Sequence, residues 1–126
     1  MMNESLPTPL RILIVDDHPG FRADIRKMLE ESGHHADEAG TVIQAIPLIE
    51  SGSYNVILLD YRMPGHDGLW LLRNTRIPRN TKVLFMTAHG HNELLMEAFR
   101  VGVKGYIIKP FEKEDLLNHL AFHAAR

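Results

Sequence analysis

Short runs of consecutive apolar residues alternate along the chain with longer stretches in which apolar residues recur at helical spacing. The first run, residues 12–15, is rich in β-branched residues, which favour strands. After it, Phe21, Ile25 and Leu29 recur at the spacing of one helix face. Gly33 then predicts the end of that helix. The opening of the chain therefore predicts a strand followed by an amphipathic helix.

The same alternation repeats through the rest of the chain. Clear apolar strands are predicted at residues 56–59, 83–86 and 106–108. A weaker strand is placed at 36–39, mainly because the alternation needs one there. Thr41 can cap the helix that follows it. Strands that are apolar throughout are buried on both faces, so we predict a single doubly wound (βα)5 domain of the α/β class, with a five-stranded parallel sheet.

Composition and charge narrow the range of functions. The 126 residues include 14 Lys and Arg against 16 Asp and Glu, which gives a net charge of −2 and no case for direct nucleic-acid or anionic-membrane binding. The chain has no cysteine, which excludes disulfides and thiolate chemistry. No apolar run approaches the roughly 20 residues that span a bilayer. We expect residues 1–9 to be a disordered leader and 10–126 to be one domain of a cytoplasmic protein.

Polar side chains stand where the apolar strands end. Asp16 and Asp17 follow the first strand, and Asp60 follows the third. Thr87 ends the fourth strand, and Lys109 follows the fifth. The carboxyl ends of parallel strands border one crevice, where ligands bind in open α/β sheets. We therefore expect these five side chains to converge.

The chemistry of this set favours a cation and a phosphoryl group. Three clustered carboxylates repel one another, and Mg²⁺ prefers carboxylate, water and phosphate oxygens. An ammonium and a hydroxyl can neutralise phosphoryl oxygens, and an aspartate can attack phosphorus. Taken singly, Asp17 or Thr87 is commonly a helix cap and Lys109 a solvated surface residue. The joint placement at successive strand ends carries the prediction.

At these motifs the chain resembles the response-regulator receiver family of two-component systems, from about Arg11 to Phe122. The matching segments are Ile-Leu-Ile-Val-Asp-Asp (12–17), Leu-Leu-Asp-Tyr-Arg-Met-Pro-Gly-His-Asp-Gly (58–68), Met-Thr-Ala (86–88) and Glu-Ala-Phe-Arg-Val-Gly-Val-Lys-Gly-Tyr-Ile-Ile-Lys-Pro-Phe (97–111). The resemblance implies the strand order 2-1-3-4-5. It also implies that Mg²⁺ is the cofactor, and no organic cofactor is expected.

The resemblance assigns roles around the metal and the acceptor. It implies that Asp60 is the phosphoacceptor and a metal ligand. Asp17 would bind Mg²⁺ directly and Asp16 would reach it through water. The backbone carbonyl of Arg62 would complete the protein ligands.

Further roles concern the switch. Thr87 and Lys109 would hold phosphoryl oxygens, and before phosphorylation the Lys109 ammonium would pair with Asp60. Tyr106 would be the aromatic that turns inward as Thr87 moves toward the phosphate. The resemblance also implies a cis peptide bond between Lys109 and Pro110.

The resemblance implies partners as well. The donor would be a sensor histidine kinase or a phosphotransfer protein, and phosphorylation would alter the surface of the fourth helix, fifth strand and fifth helix. An output domain in a longer chain and a homodimer through that surface stay open, and membrane and nucleic-acid binding by this domain are not expected. Such a protein catalyses only its own phosphorylation and slow dephosphorylation.

Two other classes of function fit the sequence less well. A phosphohydrolase of the haloacid-dehalogenase type needs a second acid two residues after its nucleophile, where this chain has Arg62, and a cap insertion for which 126 residues leave no room. A phosphate-independent interaction module would be expected to lack Asp17, Asp60 or Lys109, and none is missing. The phosphoswitch is therefore the favoured hypothesis.

Several residues were left with limited expectations. Arg62 and His89 occupy positions that affect the loss of the phosphoryl group in the family. Phe122 lies off the apolar stripe of the last helix and is expected to be exposed. His34 and His35 are interpreted as solvated loop histidines rather than as metal ligands.

Overall fold

Five strands alternate with five helices in the computed structural model, which describes residues 9–88 and 92–124. The strands are β1 (Arg11–Val15), β2 (His35–Ala39), β3 (Val56–Asp60), β4 (Lys82–Thr87) and β5 (Gly105–Ile108). The helices are α1 (Pro19–Glu31), α2 (Val42–Ser51), α3 (Gly68–Asn74), α4 (Asn92–Arg100) and α5 (Lys113–Ala124). The strands form one sheet in the order β2-β1-β3-β4-β5, and every pair is parallel. The predicted fold class and strand order are confirmed.

The core has one layer on each face of the sheet, because alternate strand residues point to opposite sides. Leu13, Leu59 and Phe85 belong to the layer beneath α2, α3 and α4. Ile14 and Leu58 belong to the layer beneath α1 and α5. All five residues of β3 are buried, as expected for a central strand covered on both faces.

Thr41 and Gly33 act as the helix signals that the sequence predicted, and Gly102 ends α4 in the same way as Gly33 ends α1. The Thr41 side chain accepts a hydrogen bond of 3.0 Å from the Gln44 backbone amide and so caps α2. Gly33 and Gly102 follow α1 and α4 with φ of 89° and 106°, a left-handed conformation that favours glycine. The helix α2 continues through Pro47.

The strand with the weakest sequence signal is also present. The strand β2 pairs with β1 along its whole length, with His35 opposite Arg11 at one end and Ala39 opposite Val15 at the other. Ala36 is buried within this ladder. Tertiary pairing therefore outweighs the poor strand propensity of the segment.

The expected leader, residues 1–9, lies outside the described residues except for Pro9. Among the helices within residues 9–88 and 92–124, none has the length and apolar character needed to cross a membrane.

His34 is not a solvated loop histidine, so that part of the sequence interpretation is wrong. The residue is only 7% exposed, and its Nδ1 accepts a hydrogen bond of 3.1 Å from the Leu10 backbone amide. The next residue, His35, is exposed and donates its backbone amide to the Leu10 carbonyl at 2.8 Å. Burial lowers the pKa of His34 because it disfavours the charged imidazolium, and His35 adds a smaller effect in the same direction.

This burial predicts a pH-dependent stability. The pKa of His34 is lower in the folded chain than the ordinary value of about 6.5 in the unfolded chain, so the unfolded chain takes up the proton first as pH falls. We expect the free energy of unfolding to fall between about pH 7.5 and pH 5.5. His34→Asn keeps an acceptor for Leu10 without titrating and should lose less stability over this range. Urea unfolding at several pH values measures this, with His35→Asn as the matched control; equal slopes for wild type and His34→Asn would contradict it.

Candidate functional site

The predicted side chains converge at the carboxyl edge of the sheet. Asp16 continues the alternation of Ile12 and Ile14, and Asp60 continues that of Val56 and Leu58, so both aspartates fall on the α1 and α5 face. Asp60 borders a cavity of about 620 Å³ at this edge. Its lining consists of His18, Asp60, Tyr61, Arg62, Thr87, Ala88, Leu94 and Lys109.

Lys109 joins the aspartates that follow the first and third strands. Its Nζ donates to Asp16 Oδ2 at 2.8 Å and to Asp60 Oδ1 at 3.3 Å. The expected pairing with Asp60 is present, but Asp16 is the nearer partner. Nζ also lies 4.3 Å from the centroid of the Phe21 ring, whose negative face attracts a cation. The ammonium is thus held in one place by two carboxylates and an aromatic face.

The carboxylates fit a divalent cation. Ligand atoms of Asp16, Asp17, His18 and Asp60 lie within 4.8 Å of one another. Asp17 Oδ1 is inaccessible to solvent and has no hydrogen-bond partner among the described residues. A buried carboxylate oxygen without a donor is costly unless a cation binds it. The oxygen donors are of the type that Mg²⁺ prefers.

The environment of Asp60 opposes its charge. The residue is 6% exposed, and burial raises the pKa of its carboxyl to about 6. The Lys109 ammonium opposes this shift, and the Asp16 and Asp17 carboxylates add to it. Without a metal ion, the ionised form that a nucleophile needs is therefore less favoured at Asp60 than at an ordinary aspartate.

Thr87 and Tyr106 lie where the sequence placed them, at the end of β4 and within β5. Thr87 is buried and lines the same cavity as Asp60. Its carbonyl accepts a hydrogen bond of 2.8 Å from the Lys109 backbone amide. Tyr106 is half-buried and lines a second cavity, of about 550 Å³, between α4, β5 and α5. The Lys109–Pro110 peptide bond is cis, as the resemblance implied.

Two residues near the site were missed by the sequence reasoning. His18 lines the main cavity and lies beside the acidic pair, and Phe21 covers the Lys109 ammonium. His18 could have been noticed because it directly follows Asp16 and Asp17. The role of Phe21 depends on how α1 packs, and its helical spacing alone indicated only the core.

The expectations for Arg62, Phe122 and His89 have different outcomes. Arg62 is exposed at the cavity, and Phe122 is exposed to 54% as predicted. His89 lies outside the described residues. Trp70 is half-buried and stacks on the exposed His66, with ring centroids 3.6 Å apart.

The family model of the response regulator receiver domain matches residues 12–121. The chain belongs to this family and is a receiver domain of phosphorelay signal transduction. This membership does not favour the phosphate-independent or phosphohydrolase alternatives.

Individual relatives agree over nearly the whole length. Chemotaxis protein CheY-3 of Vibrio cholerae is 35% identical over 123 residues, which cover 94% of this chain and 95% of that protein. A CheY-like receiver domain protein from Methanospirillum hungatei superposes with a TM-score of 0.86 at 28% identity, covering 93% of this chain and 94% of that one. The receiver domain of the Pseudomonas aeruginosa sensor histidine kinase PA1611 superposes with a TM-score of 0.82 at 26% identity, covering 94% and 100%, and has a magnesium ion in its active-site cleft.

The raised pKa of Asp60 predicts that its neutral replacement stabilises the metal-free protein. The pKa of Asp60 is about 6 in the folded chain, against an ordinary value of 3.8, so the folded chain keeps this proton to a higher pH than the unfolded chain does. As pH rises from about 4 to about 6, the free energy of unfolding of the wild type therefore falls relative to that of a variant with a neutral side chain at this position. In chelator at about pH 8, Asp60→Asn should raise the free energy of unfolding by about 1 to 3 kcal/mol.

The measurement is denaturant unfolding of both proteins with and without Mg²⁺. Magnesium should reduce or reverse the difference because it stabilises the ionised carboxylate. Asp24→Asn, which changes an exposed carboxylate on α1, is the matched control. An Asp60→Asn variant that is less stable than wild type in chelator would refute the electrostatic interpretation.

Proposed function

We propose that this domain is a magnesium-dependent phosphoswitch in which Asp60 accepts the phosphoryl group. The observation that carries the proposal is the convergence of Asp60 with the Asp17 carboxylate and the Lys109 ammonium at the strand ends, where Asp60 and Lys109 also line one cavity. Asp60 is the last residue of the central strand, where burial raises the pKa of its carboxyl and the Lys109 ammonium lowers it.

The metal ligands in this proposal are the ones that the resemblance implied. Asp17 and Asp60 hold Mg²⁺ directly, Asp16 acts through water, and the Arg62 carbonyl adds a backbone oxygen. The Oδ1 of Asp17 is inaccessible to solvent and accepts no hydrogen bond among the described residues, which supports its direct role. The indirect role of Asp16 is supported by its existing bonds, since Oδ2 accepts from Lys109 and Oδ1 from the His18 amide at 2.9 Å. When bound, Mg²⁺ neutralises charge on the carboxylates and on the transferring phosphoryl oxygens.

The chemical step is an in-line displacement at phosphorus. A carboxylate oxygen of Asp60 forms the new bond to phosphorus while the bond from phosphorus to the donor atom breaks, and the donor leaves with that electron pair. The Lys109 ammonium and the Thr87 hydroxyl donate hydrogen bonds to the phosphoryl oxygens. The donor is a sensor histidine kinase or a phosphotransfer protein, and the reaction takes place in the cytoplasm.

The output of the switch is the surface formed by α4, β5 and α5. Phosphoryl binding draws the Thr87 hydroxyl toward Asp60 and lets Tyr106 turn inward. Phe99 and Ile108 are exposed to 47% and 43% on this surface. Their exposed apolar area is available to bind a partner or a second copy once the surface changes. Differential binding of only a few kcal/mol shifts such an equilibrium.

The proposal predicts one acceptor. Incubation with acetyl phosphate and Mg²⁺ should add the mass of one phosphoryl group to wild type, measured by intact-protein mass spectrometry. Asp60→Asn should gain none, because it lacks the nucleophile, whereas Asp67→Asn should still react. Phosphorylation of Asp60→Asn to the wild-type extent would sink the assignment.

The same assay tests the metal. We expect no modification in chelator and a loss of Mg²⁺ binding in Asp17→Asn, because Asp17 supplies a buried oxygen that accepts no hydrogen bond among the described residues. Mg²⁺ binding is followed by calorimetry. Undiminished phosphorylation in chelator would remove magnesium from the mechanism.

Lys109 is predicted to transmit the modification as well as to neutralise charge. Its side chain is 19% exposed and confined between two carboxylates and the Phe21 ring, so the planar fork of arginine does not fit the place of a point charge. Lys109→Arg should bind Mg²⁺, accept phosphate more slowly and fail to couple it to the α4-β5-α5 surface.

The measurement is the change in dimerisation or partner affinity when Asp60 is fully modified. Wild type and Lys109→Arg should differ in this coupling by more than about 1 kcal/mol. Lys113→Arg, at a half-exposed lysine on α5 that contacts Glu31 at 3.4 Å, is the matched control. Equal coupling in all three proteins would mean that Lys109 serves only as a counter-charge.

A further inference from the structure

His18 lies beside the acidic pair Asp16 and Asp17 and has no role in the proposed phosphoswitch. Its Nδ1 lies 3.3 Å from Asp16 Oδ1 and 3.3 Å from Asp17 Oδ1. The residue also lines the cavity that contains Asp60 and Lys109.

The backbone holds His18 in this position. Its amide donates to Asp16 Oδ1 at 2.9 Å, which closes a tight turn after β1. Pro19 is the first residue of α1 and restricts the preceding residue to extended backbone, and His18 has φ −94° and ψ 105°. His18 occupies the N-cap position but its side chain makes no cap hydrogen bond. The imidazole is therefore positioned by the turn without being used to begin the helix.

The distances match those between neighbouring ligands of one metal ion. Two ligands at right angles on an octahedral ion with bonds of about 2.1 Å lie about 3 Å apart. Nδ1 approaches this spacing to Asp17 Oδ1, and it belongs to the set of donor atoms from Asp16, Asp17, His18 and Asp60 that lie within 4.8 Å of one another. The side chain is 71% exposed, so the ring can adjust when an ion enters.

An imidazole nitrogen changes which ions such a site prefers. Magnesium is a hard ion that takes oxygen ligands, whereas Co²⁺, Ni²⁺ and Zn²⁺ bind imidazole well. We infer that His18 is a metal-selecting ligand, which joins Asp17 and Asp60 around a first-row transition ion and leaves Mg²⁺ binding to the oxygen atoms alone. This inference rests on the proposed phosphoswitch, because it uses the same metal site, and it gives that site a second class of activating ion.

The test compares Co²⁺ and Mg²⁺ affinities by calorimetry in one buffer at a single pH. His18→Phe should weaken Co²⁺ binding at least tenfold, the scale on which even outer-shell groups affect metal affinity, and change Mg²⁺ binding less than twofold. The variant should fold because the side chain is exposed and makes no cap bond. His35→Phe, at the opposite edge of the sheet, is the matched control among the eight histidines.

A spectroscopic readout identifies the ligand directly. Cu²⁺, an imidazole-preferring ion, bound at one equivalent to wild type should show nitrogen modulation in its electron spin echo, and the modulation should be absent in His18→Phe and retained in His35→Phe. Co²⁺ affinity that is unchanged in His18→Phe, or nitrogen modulation that persists there, would overturn the inference. Asp17→Asn separates the proposed phosphoswitch from the inference about His18, because this variant should bind neither Co²⁺ nor Mg²⁺. An Asp17→Asn variant that still binds both ions would refute the metal site itself, whatever the result for His18.

Discussion

The structure depends on keeping three carboxylates and one ammonium together at the edge of a buried sheet. Asp16 is wholly buried, and its Oδ2 accepts from Lys109 at 2.8 Å. Removing one partner from such a pair leaves a buried charge without compensation, which is strongly destabilising. The ammonium offsets only one of the three negative charges, so the site is short of positive charge. A divalent cation would supply the missing positive charge and would also let an anionic phosphoryl group bind beside the carboxylates.

The parallel fold places these charges where they can act on one another. Three adjacent strands, β1, β3 and β4, end at the same edge, and right-handed crossovers return the chain there each time. Lys109 follows the edge strand β5, and its long side chain reaches across to Asp16 and Asp60. Since β5 also presents Tyr106 to the second cavity, the element that supplies the ammonium borders the surface proposed to respond.

Much of this arrangement could be predicted from the chain alone, because continuous apolar strands and polar residues at their ends leave few folds. Thr41 and Gly33 also acted locally, as a cap and a helix end. The errors and omissions concern contacts between distant segments. Burial of His34 depends on Leu10, 24 residues earlier. The nearer partner of Lys109 depends on which face Asp16 takes after β1. The position of His18 could be predicted in part, since an Asp-Asp-His-Pro turn restricts the backbone, but its distance from each carboxylate required coordinates.

Hydrogen exchange with and without beryllofluoride, a stand-in for the phosphoryl group on Asp60, tests most directly whether chemistry at the strand ends reaches the α4-β5-α5 surface. With Mg²⁺ present, we expect beryllofluoride to change protection across residues 88–111 in wild type. The same addition should change nothing there in Asp60→Asn. Equal protection of that segment in wild type with and without beryllofluoride, at saturation of the site, would contradict the coupling between Asp60 and the surface.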